Sequence, residues 1–263
     1  DRGFCLDDDE PFVPTALEMY PVKEELLAQE LDREILPFEL FDARGLLPSG
    51  IVGQRQLESM RTEMGKLAEN VRKKIGDGKK DKPISIDLTL PGYTLSGTIE
   101  NIYGGQVVNF RPAKLNPKDY MRAWIEHLAL SLQNQGDQKT VTMLIGRDGA
   151  VTFGPITSPQ DELRVLCDLY LEGLSRPLSF YPNASMAFAD AIVSGQGDPL
   201  KKAYDKWDGR YRRVGKREGE KDDLYFKLCF EGLDPFAHPF AEIARKVFET
   251  MLRNRELNEH DAV

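Results

Sequence analysis

The hydrophobic residues change period abruptly at residue 84, and that change restricts the architecture more than any other feature of the chain. Upstream, Leu57, Met60, Met64, Leu67, Val71 and Ile75 recur at intervals of three and four, the spacing of one face of an amphipathic helix. Downstream, Ile84, Ile86, Leu88 and Leu90 alternate with Ser85, Asp87 and Thr89, which is the period of a strand with one buried face. Pro91-Gly92 then reverses the chain, Tyr93, Leu95 and Ile99 continue the alternation, and Gly104-Gly105 turns it again before Val107 to Phe110. The pattern predicts a three-stranded antiparallel meander over residues 84 to 111.

Helices are expected on both sides of these strands. The segment "TALEMYPVKEELLAQEL" spaces Leu17, Tyr20, Leu26, Leu27 and Leu31 helically, with Pro21 obscuring its start. The segment "NPKDYMRAWIEHLALSL" puts Tyr120, Trp124 and Leu128 on one stripe, with Met121, Ile125 and Leu132 beside it, and should pack on the sheet. Strands follow in "KTVTMLIG" and "AVTFGPI" around an Arg147-Asp148-Gly149 turn, and a helix in "SPQDELRVLCDLYLEGL" with Ser158 at its N-cap and Pro159 at its first position. Residues 201 to 221 read as an exposed, partly irregular excursion, and the helix in "FAEIARKVFETMLRN" as a last element before the tail frays. The whole is expected to be one domain over residues 1–263, with a helical lead-in (1–80), a sheet-containing core (81–176) and a helical C-terminal part (177–263).

Composition narrows the setting. No apolar run approaches the ~18 residues of a membrane helix, and 41% hydrophobic with 30% charged residues is the balance of a globular chain. Cys5, Cys167 and Cys229 are far apart and lack C-x-x-C spacing, which favours a reducing, cytoplasmic setting over a disulfide framework or zinc site. The opening "DRGFCLDDDEPF" has neither an initiator Met nor a leader and reads as the interior of something longer. A net charge of -8 argues against a free-standing DNA binder that works by neutralising phosphates, although local basic patches stay open.

The residues that bear on chemistry lie in "GTIENIYGGQVVNFRP". Helices, strands, a helix and two further strands, in that order, resemble the α/β core of the restriction-endonuclease-like (PD-(D/E)xK) folds, with a mixed sheet flanked by helices and extra helical segments. In active members of that family a carboxylate ends one strand and the next carries acid-x-Lys. Together they hold Mg²⁺, which prefers oxygen ligands in octahedral geometry, and position a water. The matching positions here are Glu100, Asn109 and Arg111. Asn109 offers a neutral amide oxygen in place of a carboxylate, and Arg111 keeps the charge of a Lys but cannot deprotonate. The resemblance therefore implies a catalytically degenerate core with no cofactor. Two other readings stay open: a polar strand face that is merely solvated or bonded to a neighbour, with Arg111 pairing only with Glu100, and a live Mg²⁺ nuclease combining Glu100 with Asp87 or Glu126.

A narrower likeness runs through the chain in order: "LDDDEPF", "FDARGLLPSG", "LSGTIENIYGGQVVNFRPAKL", "RAWIEHLAL", "IGRDG", "GLSRPLSFYPNAS" and "FKLCFEGLDPF". In these stretches the chain resembles the C-terminal domains of RecC, the gamma subunit of bacterial exodeoxyribonuclease V. The resemblance implies an inactive nuclease-like domain that acts as scaffold in a helicase-nuclease complex with RecB and RecD subunits, close to DNA, with Chi recognition outside this segment. A general protein-interaction module is the remaining alternative.

Three further groups of residues are candidates. Arg212, Arg213, Lys216 and Arg217 could contact DNA phosphates, near Tyr204, Trp207 and Tyr211, against the simpler reading of a solvated loop offset by Asp205, Asp208, Glu218, Glu220, Asp222 and Asp223. Phe180, Tyr181 and Met186 could dock a protein partner or equally close the core over the preceding helix. His127 is expected to be a structural residue on a helix face, and His238 a turn residue.

Overall fold

The computed structural model describes residues 15, 17–34, 36–76, 79–134, 140–209, 211–212, 215–216 and 219–258. Its helical lead-in comprises α1 (Met19–Asp32), α2 (Phe38–Ala43) and α3 (Ile51–Ile75). Pro21 falls in the first turn of α1, where its missing N–H is one of the donors a helix leaves unpaired in any case. On α3 Leu57, Met60, Met64, Leu67 and Val71 of the expected stripe are buried, with Ala68 beside them and Ile75 half-buried at the helix end.

The strands then divide between two sheets. β1 (Ile84–Leu90) and β2 (Tyr93–Ile99) pair with each other from Ile84↔Ile99 to Leu90↔Tyr93 and form a separate hairpin. β3 (Ile102–Tyr103) and β4 (Gln106–Phe110) belong instead to a five-stranded mixed sheet, joined by Gly104-Gly105 with both glycines at positive φ. The expected continuous meander over 84 to 111 is therefore corrected. The reason lies in the number of faces each strand buries. β1 buries Ile86, Leu88 and Leu90 and exposes Ser85, Asp87 and Thr89, so cover on one face suffices. β4 buries Val107 and Val108 completely on opposite faces, so it needs helices on both sides, as central strands of parallel type do.

That cover comes from α4 (Pro117–Gln133), which crosses over between β4 and the parallel β5 (Thr142–Gly146). β6 (Gly149–Phe153) returns antiparallel to β5, and α5 (Pro159–Ser175), α6 (Pro182–Ser194) and α7 (Pro199–Trp207) follow. Ser158 does precede α5, but its hydroxyl makes no capping bond. α7 replaces part of the irregular excursion expected over 201–221: Asp198 caps it by accepting from the Lys201 N–H at 2.9 Å, and Ala203 is its buried residue. A short ribbon of β7 (Tyr211–Arg212) and β8 (Gly215–Lys216), a 3₁₀ turn at Glu220–Asp222 and α8 (Leu224–Phe230) lead to α9 (Phe240–Asn254). The tail does not fray at once, because β9 (Arg255–Asn258) pairs antiparallel with β6 and takes up its open edge.

The sheet, in order β3-β4-β5-β6-β9, thus lies between two apolar layers. On one side Val108, Met143, Ile145 and Ala150 meet α1, α2 and α3. On the other, Val107, Leu144, Val151 and Phe153 meet α4, α9 and the β1–β2 hairpin. Among the described residues no helix is long and apolar enough to cross a membrane.

Met64 and Leu128 are both fully buried, one in each layer. Replacing either by Ala should cost about 2–5 kcal/mol in urea unfolding. Because the sheet separates them, the double variant should lose the sum to within about 0.5 kcal/mol; a shortfall much larger than that would mean the layers share one deformable core.

Candidate functional site

Pleating sends Val107 and Asn109 to the α4 side of β4 and Val108 and Phe110 to the other. Asn109 is almost wholly buried, and its Nδ2 donates to Glu126 Oε2 on α4 at 2.7 Å. Its Oδ1 accepts from Asn101 Nδ2 at 3.4 Å, and the second Glu126 oxygen accepts from Arg122 Nε at 3.1 Å. Two residues further along, Arg111 leaves the strand and its Nη1 donates to Asp119 Oδ2 at 2.5 Å. Asp119 belongs to the capping box that starts α4: Asn116 Oδ1 accepts from the Lys118 and Asp119 N–H groups, while Asp119 accepts from the Asn116 N–H at 2.8 Å. The Arg111 guanidinium also lies 5.4 Å from the centre of the Tyr20 ring on α1.

These bonds form a clamp between strand and helix. Asp119 and Glu126 are seven residues apart, two helical turns, so they share a face of α4. Arg111 takes the earlier and Asn109 the later, which requires α4 to run back alongside β4, as the crossover to β5 demands. Glu100 is not part of it. It is exposed, one residue beyond the end of β2, whereas the neighbouring Asn101 meets Asn109 and accepts from the Val108 N–H at 2.8 Å. The pairing of Arg111 with Glu100 considered from the sequence is thus replaced by Arg111 with Asp119. Asp87 is exposed on β1. The donor set does not fit Mg²⁺: one carboxylate, Glu126, faces Asn109 and already accepts from Asn109 and Arg122, and the neighbouring cation is committed to Asp119. Among the described residues no group of three or more His, Cys, Asp or Glu side chains is placed to hold a metal ion. Motif alignment alone passed over Asp119 and Asn101, and it weighed Glu126 only as a substitute metal ligand, not as a partner of Asn109. The Asn116-Pro-Lys-Asp119 capping pattern and the seven-residue spacing of the two acids were the available signals.

His127 is fully buried beneath this clamp and stacks on Trp124, with ring centroids 5.4 Å apart. A carbonyl can only accept, so Nε2–H donates to Gly154 O at 2.9 Å, and Nδ1 accepts from the Thr142 hydroxyl at 3.1 Å. Both ring nitrogens are therefore used structurally. Burial drives the His127 pKa down to about 4, against the opposing effect of the Gly154 bond. His238 is exposed in the turn before α9, beside Glu242.

The other candidate groups fall elsewhere. Tyr181 is fully buried, ringed by Trp207, Phe226, Phe230, Phe236 and Phe240 at centroid distances of 4.4 to 6.4 Å, so it closes a third apolar cluster and is not presented to a partner. Phe180 and Met186 are half-buried against the main core, Phe180 stacking on Phe248 at 5.8 Å. Arg212 and Lys216 lie on the β7–β8 ribbon, while Arg213 and Arg217 lie outside the described residues. Nearby acids have local tasks: Asp208 pairs with Lys221 at 2.9 Å, and Glu220 accepts from the Asn183 and Ala184 N–H groups at the start of α6.

Fold and site together define a small mixed sheet flanked by helices, consistent in its general layout with a restriction-endonuclease-like core, in which the polar residues of β4 and its end are bonded to the crossover helix α4. The chain belongs to the RecC C-terminal domain family, which it matches over residues 5–193. It is 28% identical over 242 residues to the RecBCD enzyme subunit RecC of Escherichia coli (strain K12), covering 88% of this chain and 21% of that one. The corresponding subunits of Mycobacterium tuberculosis (strain H37Rv) and Mycolicibacterium smegmatis are 30% and 31% identical over 80% and 75% of this chain and 20% and 19% of theirs. The chain thus spans about a fifth of the length of these relatives.

Asn109→Asp would set two carboxylates against each other across the 2.7 Å contact, and should cost about 1–3 kcal/mol in urea unfolding at pH 7; unchanged stability would contradict it. For His127, a pKa lowered from 6.5 to about 4 means that folding opposes protonation. Its contribution is complete above pH 6.5 and is lost as pH falls toward 4, on the order of 3 kcal/mol in all. Urea unfolding of His127→Gln should show a flatter pH dependence than the parent across that window.

Proposed function

We propose that this chain is the nuclease-like C-terminal domain of a RecC-type subunit, a catalytically degenerate restriction-endonuclease-like core that scaffolds a helicase-nuclease complex rather than cutting DNA. In this reading it contacts the RecB and RecD subunits, helps to guide DNA during double-strand break repair by homologous recombination, and works in the cytoplasm. The observation that carries the reading is the fate of Asn109 and Arg111: at the positions where relatives with nuclease chemistry need an acid and a Lys, both side chains hold α4 through Glu126 and Asp119. Membership of the RecC C-terminal domain family supports the same role. Arg212, Arg213, Lys216 and Arg217 are the proposed phosphate contacts, as a run of cationic side chains of the kind that meets phosphate oxygens.

The test is the chain with and without RecB and RecD of its own organism. Expected are association with those subunits and no Mg²⁺-dependent degradation of linear DNA by the chain alone. Mg²⁺-dependent degradation that disappears in Glu100→Gln, or in Glu126→Gln, would replace the proposal with a live nuclease. For DNA, replacing Arg212, Arg213, Lys216 and Arg217 together by Ala should flatten the salt dependence of DNA binding by the assembled complex, by about one unit of log–log slope for each phosphate that is no longer neutralised. An unchanged slope would remove these four residues from the DNA path.

A further inference from the structure

The helix α8 has the wrong outer surface for its position. Its inner residues, Phe226 and Phe230, pack edge-on against Tyr181 at 5.1 and 5.4 Å. Its outer residues are also apolar: Leu224, Tyr225 and Leu228 are 78%, 79% and 83% exposed, and Leu233 just beyond the helix is 64% exposed. Lys227 is the one charged residue within Leu224–Phe230. A helix that is apolar on its outer as well as its inner face, with one Lys between, belongs inside a larger assembly, and exposed apolar residues grouped on one face mark an interaction site.

The border of the patch discriminates among occupants. Exposed Asp223, Glu231 and Asp234 flank it against the single Lys227, so the rim is acidic. Such a rim repels nucleic-acid phosphates and anionic lipid, and α8 has none of the cationic face by which an interfacial helix holds a membrane. What fits is a folded protein offering an apolar groove bordered by Lys and Arg, into which Leu224 and Leu228, one turn apart, insert as anchors. Of Phe180, Tyr181 and Met186, only Tyr181 lies beside this feature: it holds the inner face of α8, and the partner meets the outer one.

We infer that the outer face of α8, with Leu224, Tyr225, Leu228 and Leu233 at its centre and Asp223, Glu231 and Asp234 at its rim, docks another protein subunit through a cation-bordered apolar groove. This rests on the scaffolding role proposed above and assigns it a surface.

The experiment co-expresses the full chain with RecB and RecD of its organism and measures assembly by sedimentation and by competition with unmodified chain. Leu228→Lys should weaken assembly tenfold or more while leaving the chain's own melting temperature unchanged, because the side chain is turned away from the rest of the chain. Glu231→Lys combined with Asp234→Lys should weaken it severalfold and reduce its salt dependence. Thr94→Lys, on the exposed face of β2, should have no effect. Normal assembly of Leu228→Lys would overturn the surface and leave the scaffolding role standing. Self-association of the chain that Leu228→Lys abolishes would assign the face to a second copy and overturn the inference. Failure of the unmodified chain to assemble at all would remove the scaffolding role, and this inference with it.

Discussion

Burial of β4 on both faces is the constraint from which the rest of the architecture follows. Val107 and Val108 point in opposite directions and neither is exposed, so the strand cannot sit in a hairpin with one wet face. One side is closed by α3 through Met64, Leu67 and Val71, the other by α4 through Trp124 and Leu128. Covering the second side with the next stretch of chain requires a crossover to a parallel strand, and a crossover forces α4 to run back alongside β4. Once that geometry exists, a polar residue on the α4 side of β4 must find a partner on α4 or be left unpaired in the interior. Asn109 finds Glu126, and Arg111 at the strand end finds Asp119.

The parts of this fold that were legible in the sequence are those where one period persists. α3 shows its buried stripe over about four turns, and β1 alternates without interruption to Pro91. The division into two sheets was harder to see, because strand pairing is a long-range choice and "QVVNF" differs from its neighbours only by two adjacent buried valines. β9 was hidden for a related reason: an edge strand that begins Arg255-Glu256 is charged, as edges usually are, and carries no apolar alternation. α7 was masked by its charges, since only Ala203 is fully buried on it and Trp207 packs beside the Tyr181 cluster.

The candidate site was legible in its letters and not in its partners. Asn109 and Arg111 stood out as replacements for an acid and a Lys, yet their meaning depends on which helix residues oppose them, and that depends on the crossover. The structure turns a statement about what these residues lack into one about what they do. They fix the register of α4 on the sheet, and α4 in turn carries Trp124 and His127 into the core. Both side chains are thereby spent on packing within the domain, while the outer face of α8 leaves Leu224, Tyr225 and Leu228 exposed.

Asn109 serves the strand-helix clamp, and a double-mutant cycle with Glu126 measures how strongly. Unfolding free energies of the parent, Asn109→Ala, Glu126→Ala and the double variant give the coupling between the two side chains. A hydrogen bond from an almost fully buried amide to a carboxylate predicts a coupling of about 1 kcal/mol or more. A coupling indistinguishable from zero would contradict the account and return Asn109 to the status of a polar residue with no present task.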